Sequence, residues 1–256
     1  MKKLPLFSIL LVLAGCQTPP PSGASLNGNQ LVEQARKTLS GRSGYHMVAT
    51  GQNADQLLQI NADVLNSGSA SGNFIYKGYT VQFIVVSGRA YLKGKEYFLA
   101  QSQTSRNSKL SAVGDRWVYL GETGALVDLE ALINAVKLSD CFLNSNTNFV
   151  KKGLVKLEKG LTYEVDEKGA QGGVLSSIYI GADSPYYPWR IDSKVNHCSP
   201  SATLKPSVAP TASPVATETP SPSALPQIQS NTFEFSNFGY KQPILIPQNF
   251  IDLTAK

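Results

Sequence analysis

Residues 57–64 read Leu-Leu-Gln-Ile-Asn-Ala-Asp-Val, and residues 79–86 read Tyr-Thr-Val-Gln-Phe-Ile-Val-Val. In the first stretch Leu58, Ile60, Ala62 and Val64 fall on one side. In the second, Tyr79, Val81, Phe83 and Val85 oppose Thr80 and Gln82. Successive side chains of a strand point to opposite faces, so a period of two marks a sheet with one covered face and one wet face. The pattern recurs. Leu161, Tyr163 and Val165 alternate with Thr162, Glu164 and Asp166, and Phe233 and Phe235 alternate with Thr232 and Glu234. Further strands are expected at 44–51, 73–76, 89–93, 96–101, 116–120, 149–158, 174–182 and 187–195. Gly-containing breaks part many of them, as hairpins require. So many short strands in succession predict one large antiparallel meander.

Two segments carry the helical period instead. Residues 29–39 place Val32, Ala35 and Leu39 on one stripe, and residues 128–136 place Leu129, Leu132, Ile133 and Val136 at i, i+3, i+4 and i+7. Each stripe is expected to lie on the apolar side of the sheet. The class is therefore α+β. Between sheet and helices the inward side chains form either a dry packed core or an apolar cavity, and periodicity does not choose between them.

The two ends of the chain are different in kind. Lys2 and Lys3 precede ten residues, 4–13, that are mostly apolar and too few to span a bilayer core of about 30 Å as a helix. Leu13-Ala14-Gly15-Cys16 follows and resembles the bacterial lipobox, so 1–15 read as a removed lipoprotein signal and Cys16 as the acylated residue. Diacylglycerol and palmitate would then tie the chain to the extracytoplasmic face of the cell membrane. Residues 16–26 contain Gln-Thr-Pro-Pro-Pro-Ser-Gly-Ala-Ser and read as a flexible tether. Near the other end, 199–226 hold seven of the fifteen prolines and only Lys205 and Glu218 as charges. Such a stretch cannot offset its chain entropy and reads as an extended, disordered linker. The 26 residues after 230 are too few to fold alone, yet they contain Phe233, Phe235, Phe238, Ile244, Leu245, Ile246 and Ile251. They are expected to return to the main sheet. The expected body is thus one domain, 27–198 plus 231–256, with 199–230 inserted before its last strand.

The charge is +5 for the whole chain and +3 once Lys2 and Lys3 are removed with the signal, a weak footing for nucleic-acid binding. Lys151, Lys152, Lys156 and Lys159 form the densest basic run and read as a solvated edge, or as contacts to anionic lipid headgroups. Asp166 and Glu167 read as solvated charges at a turn. Two cysteines remain after Cys16. In an oxidising compartment Cys141 and Cys198 are expected to form a disulfide, worth roughly 4 kcal/mol in the chain-entropy treatment; two reduced thiols are the alternative. His46 and His197 are the only histidines, and no Cys/His cluster has metal-ligand spacing. His46, within Tyr45-His46-Met47-Val48, reads as a structural or surface residue. No phosphate loop, nucleophile elbow or zinc-protease motif occurs, so neither an enzyme nor a metal nor a cofactor is expected.

The order of features is similar to a known family. An acylated Cys16, a short tether, an opening helix around Leu-Val-Glu-Gln-Ala-Arg-Lys-Thr-Leu at 31–39, and Tyr45-His46 entering a first strand resemble the LppX and LprG type of mycobacterial lipoproteins. Gly114-Asp115-Arg116-Trp117-Val118, the helix over 126–136 and Thr232-Phe233-Glu234-Phe235-Ser236-Asn237-Phe238-Gly239 resemble that family's Trp strand, following helix and closing strand. The resemblance implies a half-barrel sheet wrapped over helices, related to the LolA and LolB carriers. It also implies an apolar cavity for the acyl chains of a lipid or lipoglycan, in a monomer without catalytic residues. Leu58, Ile60, Val64, Val81, Phe83, Val85, Leu129, Leu132, Ile133 and Val136 are then the expected lining. A related sheet with a filled core, serving as an envelope scaffold or signalling protein, is the other reading.

Overall fold

The computed structural model describes residues 19–53, 56–105, 108–119, 143, 147–194 and 230–254. The side chains of 52–58, 104–108 and 230 lie outside the description. So do Cys16, Cys141, Cys198 and the expected helix with Leu129, Leu132, Ile133 and Val136. No described helix is long and apolar enough to cross a membrane.

Twelve strands form a single sheet: β1 (Gly44–Asn53), β2 (Gln56–Leu65), β3 (Ala70–Tyr76), β4 (Tyr79–Val86), β5 (Arg89–Lys93), β6 (Val118–Tyr119), β7 (Asn148–Leu157), β8 (Gly160–Lys168), β9 (Val174–Gly181), β10 (Pro188–Ser193), β11 (Ser230–Ser236) and β12 (Ile251–Asp252). Among the described residues the α-helices are α1 (Gly28–Ser40), α2 (Lys95–Ser105) and the single turn α3 (Ser108–Ser111). This is the α+β class with a large curved antiparallel sheet. Bulges at Lys152, beside Trp189 and beside Lys168 bend the β7–β10 wing, since an extra residue in one strand kinks it and tightens its twist.

The order across the sheet is β12-β6-β5-β4-β3-β2-β1-β11-β10-β9-β8-β7. The single meander expected from sequence is corrected here. Two meanders, β1–β5 and β7–β10, are joined through β11, which pairs with β1 from His46↔Ser236 to Gln52↔Ser230 and with β10 from Arg190↔Glu234 to Ser193↔Asn231. Phe233 and Phe235 point into the covered face, so the last long strand occupies the centre rather than an edge. The C-terminal segment then reaches the far edge. There β12 pairs in parallel with β6, and Phe250 sets its ring edge-on to Tyr91 at 5.0 Å and Tyr119 at 6.3 Å.

Helix α1 forms where expected because Asn27 and Gln30 close a reciprocal capping box at 2.9 Å each, and it buries Leu31, Val32, Ala35 and Leu39. Residues 96–101, expected as a strand, are helical. Tyr97 and Phe98 are neighbours in sequence and both are buried, as is Ser102. A strand would send two adjacent aromatics to opposite faces, whereas one side of a helix accepts residues i, i+1 and i+5. Glu96 in the first turn suits the helix dipole. Of the strand expected over 116–120, Val118 and Tyr119 form β6, Arg116 and Trp117 lie outside it, and 120 falls outside the described residues.

Candidate functional site

Cross-strand register orders the inner face into rows. One row runs Val165, Ile178, Ile191, Phe233, Ala49, Ile60, Phe74, Val81 across eight strands from β8 to β4. A second runs Phe235, Met47, Ala62, Gly72, Phe83, Leu92, Val118 from β11 to β6. Every side chain of both rows is buried and apolar. Gly72 is dictated by the sheet itself: a Cβ there would meet the Asn61 carbonyl oxygen. The helices take opposite flanks. Helix α1 lies over β7–β9 and α2 over β4.

Of the lining residues named from sequence, the structure brings Ile60, Val64, Val81, Phe83 and Val85 together on this face, all at 5% exposure or less. Leu58 pairs through its backbone with Gly51 in the same sheet. Within the apolar layer, burial and then the nearby Tyr76 push the Tyr97 phenol well above the usual tyrosine range, so it stays neutral.

The inner face is not apolar to both ends. A third row, Glu167, Ser176, Ser193, Asn231, crosses β8 to β11 at the end where β10 finishes and β11 begins. Glu167 and Ser176 are at 0 and 1% exposure, Ser193 and Asn231 at 2 and 8%. Glu167 accepts hydrogen bonds from the Thr147 hydroxyl at 2.8 Å and the Ser176 hydroxyl at 2.5 Å. The expectation that Asp166 and Glu167 are solvated turn charges is therefore corrected. Strand β8 continues through Lys168, so the two acids lie within it and face opposite sides. Asp166, on the outer face, accepts from the Ser177 hydroxyl at 2.9 Å and pairs with Lys168 at 3.3 Å. The signal was present in the sequence: two successive acids in an alternating strand oblige one to face inward.

At the opposite end of β8 the tether docks. Ser22 N–H donates to Asp183 Oδ1 at 2.7 Å, and Gly23 N–H donates to the Ala182 carbonyl at 3.0 Å. A side chain at Gly23 would collide with that carbonyl and with Tyr163. Lys151 Nζ, 4.3 Å above the Tyr163 ring, donates to the carbonyls of Gly23, Ala24 and Leu26 at 3.1, 2.7 and 2.7 Å. Its expected place on a solvated edge is corrected: its three N–H donors match the carbonyls of a 3-10 turn, Ser22–Ser25. Lys159 likewise turns inward, to the Phe235 carbonyl at 2.9 Å. Lys152 reaches Asp166 at 3.9 Å, and of the four lysines only Lys156 makes no ion pair or hydrogen bond among the described residues. Leu161, expected on the covered face, is 43% exposed and lines a cleft with the docked prolines.

This dock yields a prediction. Replacing Lys151 by Met keeps most of the stem but strands three carbonyls, and hydrogen bonds to a charged donor are typically worth about 1.5–3 kcal/mol. The expected result is a loss of stability in that range in urea unfolding. Faster hydrogen exchange at the Gly23 amide should accompany it.

On the outer face His46 Nδ1 lies 2.8 Å from Asp63 Oδ1, and the register sets Ser236 on the other side of His46. No hydrogen bond joins His46 to Ser236 among the described residues, so the row lacks an activated nucleophile in this geometry. Burial and then the adjacent Asp63 carboxylate raise the Tyr240 phenol above its usual range. The start of the C-terminal segment is fastened to β1, where the Gly239 amide donates to the Gly44 carbonyl at 2.8 Å.

No family model matches the chain, and no curated protein matches it. Solved structures do. LprF from Mycobacterium bovis is 17% identical over 89% of this chain and 99% of its own, with a TM-score of 0.50. An uncharacterized conserved protein from Thermus thermophilus is 9% identical over 87% and 96%, at a TM-score of 0.39. A putative outer membrane lipoprotein-sorting protein domain from Vibrio parahaemolyticus is 10% identical over 82% and 91%, at 0.22. The last two overlap too little in shape to bear on the assignment. The likeness to LprF covers most of both chains, and the chain therefore has the fold of LprF.

Proposed function

We propose that the chain is an extracytoplasmic lipoprotein, acylated at Cys16, that holds the acyl chains of a lipid or lipoglycan against the inner face of its sheet. It acts by desolvation and carries out no reaction. The observation behind this reading is the layout of the inner face: two apolar rows crossing eight and seven strands, bordered over β8–β11 by the polar row from Glu167 to Asn231. An amphiphile has the same layout, an apolar body and one polar end. The fold shared with LprF supports it. The completeness of burial, with Val81, Phe83 and Val165 at 0% exposure, favours a second reading, a scaffold with a filled core.

One substitution separates the two. Ala62 lies mid-row between Met47 and Gly72. In a container, Ala62→Leu projects into ligand space. It is expected to weaken uptake of a fluorescent fatty acid by the delipidated protein about tenfold or more, a change of ~1.4 kcal/mol, with little loss of stability. In a filled core the same change overpacks and costs about 1–3 kcal/mol. Native mass spectrometry of gently purified full-length protein provides the parallel measurement. Absence of any lipid beyond the anchor, together with no saturable fatty-acid uptake, rules the carrier out.

A further inference from the structure

We infer that the exposed apolar patch of Leu154 and Leu161, continuous with the docked prolines, is a membrane-contact surface that seats the molecule on the bilayer its anchor enters. The inference rests on acylation at Cys16 but not on lipid carriage.

Leu154 and Leu161 are 47 and 43% exposed, unusual for leucines on the apolar side of a sheet. In the β7–β8 register Leu154 is opposite Tyr163, and Lys156 is opposite Leu161, so all four project from one face of the sheet. Strand β7 is the last of the sheet, and among the described residues nothing pairs beyond it. The two leucines line a cleft of about 450 Å³ with Pro19, Pro20, Pro21 and Asp183. The Asp183 carboxylate is engaged by the Ser22 amide, and Lys156 supplies a cation beside the leucines. Two exposed leucines with a lysine, and no unengaged acid in the cleft lining, suit the boundary between anionic headgroups and acyl chains, where apolar side chains sink about 5–10 Å.

Chain length makes that occupant the natural one. Only Gln17 and Thr18 separate Cys16 from Pro19. Three Cα steps span at most about 11 Å. The Lys151 and Asp183 contacts hold the turn that follows Pro21 rigidly to the sheet. With the diacylglycerol of Cys16 in the interface, the cleft cannot lie far from the headgroups. An acylated Cys16 holds the chain to the bilayer but not in one orientation, and a second apolar contact beside it orients the attachment.

The test uses full-length protein reconstituted into phosphatidylglycerol/phosphatidylcholine vesicles. Leu154→Trp places an indole in the patch, and Leu99→Trp places one at a position 45% exposed on α2, away from the tether. The Leu154→Trp indole is expected to shift to the blue and be quenched by brominated acyl chains, relative to the native Trp117 and Trp189 background; the Leu99→Trp indole is expected to do neither. An indole at 154 that remains as water-accessible in vesicles as in solution overturns the inference. A second arm removes the anchor with Cys16→Ser and measures sedimentation with the same vesicles. Leu154→Ser with Leu161→Ser is expected to lower that residual affinity about tenfold. No residual affinity, or self-association lost with the two serines in place of vesicle binding, also overturns it. Mass spectrometry of the intact protein reads acylation separately, and fatty-acid uptake reads carriage separately. A failed anchor or a failed carrier is thus distinguishable from a failed contact surface, which the Cys16→Ser arm still decides.

Discussion

A chain ending at residue 229 is expected not to reach the native fold. Strand β11 would be missing from the middle of the sheet. Its removal leaves the facing edges of β1 and β10 without partners over 46–52 and 190–193 and uncovers Met47, Ala49 and Ile191. Unpaired buried backbone groups and newly wet apolar rows each carry costs comparable to the whole stability of a domain, about 5–15 kcal/mol. Circular dichroism should show loss of the cooperative thermal transition, and the product should aggregate through its open edges. A matched control deletes most of 199–226 while retaining all of 230–256. Because Ser193 and Asn231 are directly paired, a short connection suffices, and shortening a loop lowers its closure entropy by only about 0.6 kcal/mol per halving. The control is expected to melt cooperatively. A truncated chain that melts like the full one would falsify the central place of β11.

The second large effect concerns one side chain in that strand. Phe235 has 0% exposure, lies opposite Met47, and meets the Tyr45 ring edge-on with centroids 5.6 Å apart. Phe235→Ala removes the ring from the joint between the two meanders. The expected cost is about 3–5 kcal/mol in urea unfolding. Roughly 0.5–1.5 kcal/mol of it comes from the aromatic pair. Phe235→Leu keeps most of the volume and is expected to cost less than half as much. The size of the alanine effect also bears on the proposed carrier. A site that collapses around the lost ring loses little, and a wall held apart by bound acyl chains loses the full cavity cost.

Much of this was legible in the sequence because it is local. Alternation at 58–64 and 79–85 assigned the inner face: Ile60, Ala62, Val64, Val81, Phe83 and Val85 are buried and Tyr79 is half-buried. The helical stripe of Val32, Ala35 and Leu39 marked α1. Local reading failed at residues 96–101, where adjacent Tyr97 and Phe98 break alternation in a way only a helix satisfies. It failed again at Asp166 and Glu167, where the strand outran its expected turn.

Other features have no local signature at all. Nothing in residues 230–236 names β1 and β10 as partners, because the pairing is decided with one segment at 46–52 and another at 190–193, both remote in sequence. Lys151 is indistinguishable in sequence from Lys152 and Lys156; its role exists only because the turn at 22–25 packs over Tyr163 and presents three carbonyls to one ammonium group. The exposure of Leu154 and Leu161 is of the same kind, since their alternation reads like that of buried leucines. Sequence alone determined the sheet, its apolar face and the late return of the chain, through periodicity and chain entropy. The tertiary structure decided the central position of β11 and the dock of the tether, because each depends on contacts between residues that no local pattern connects.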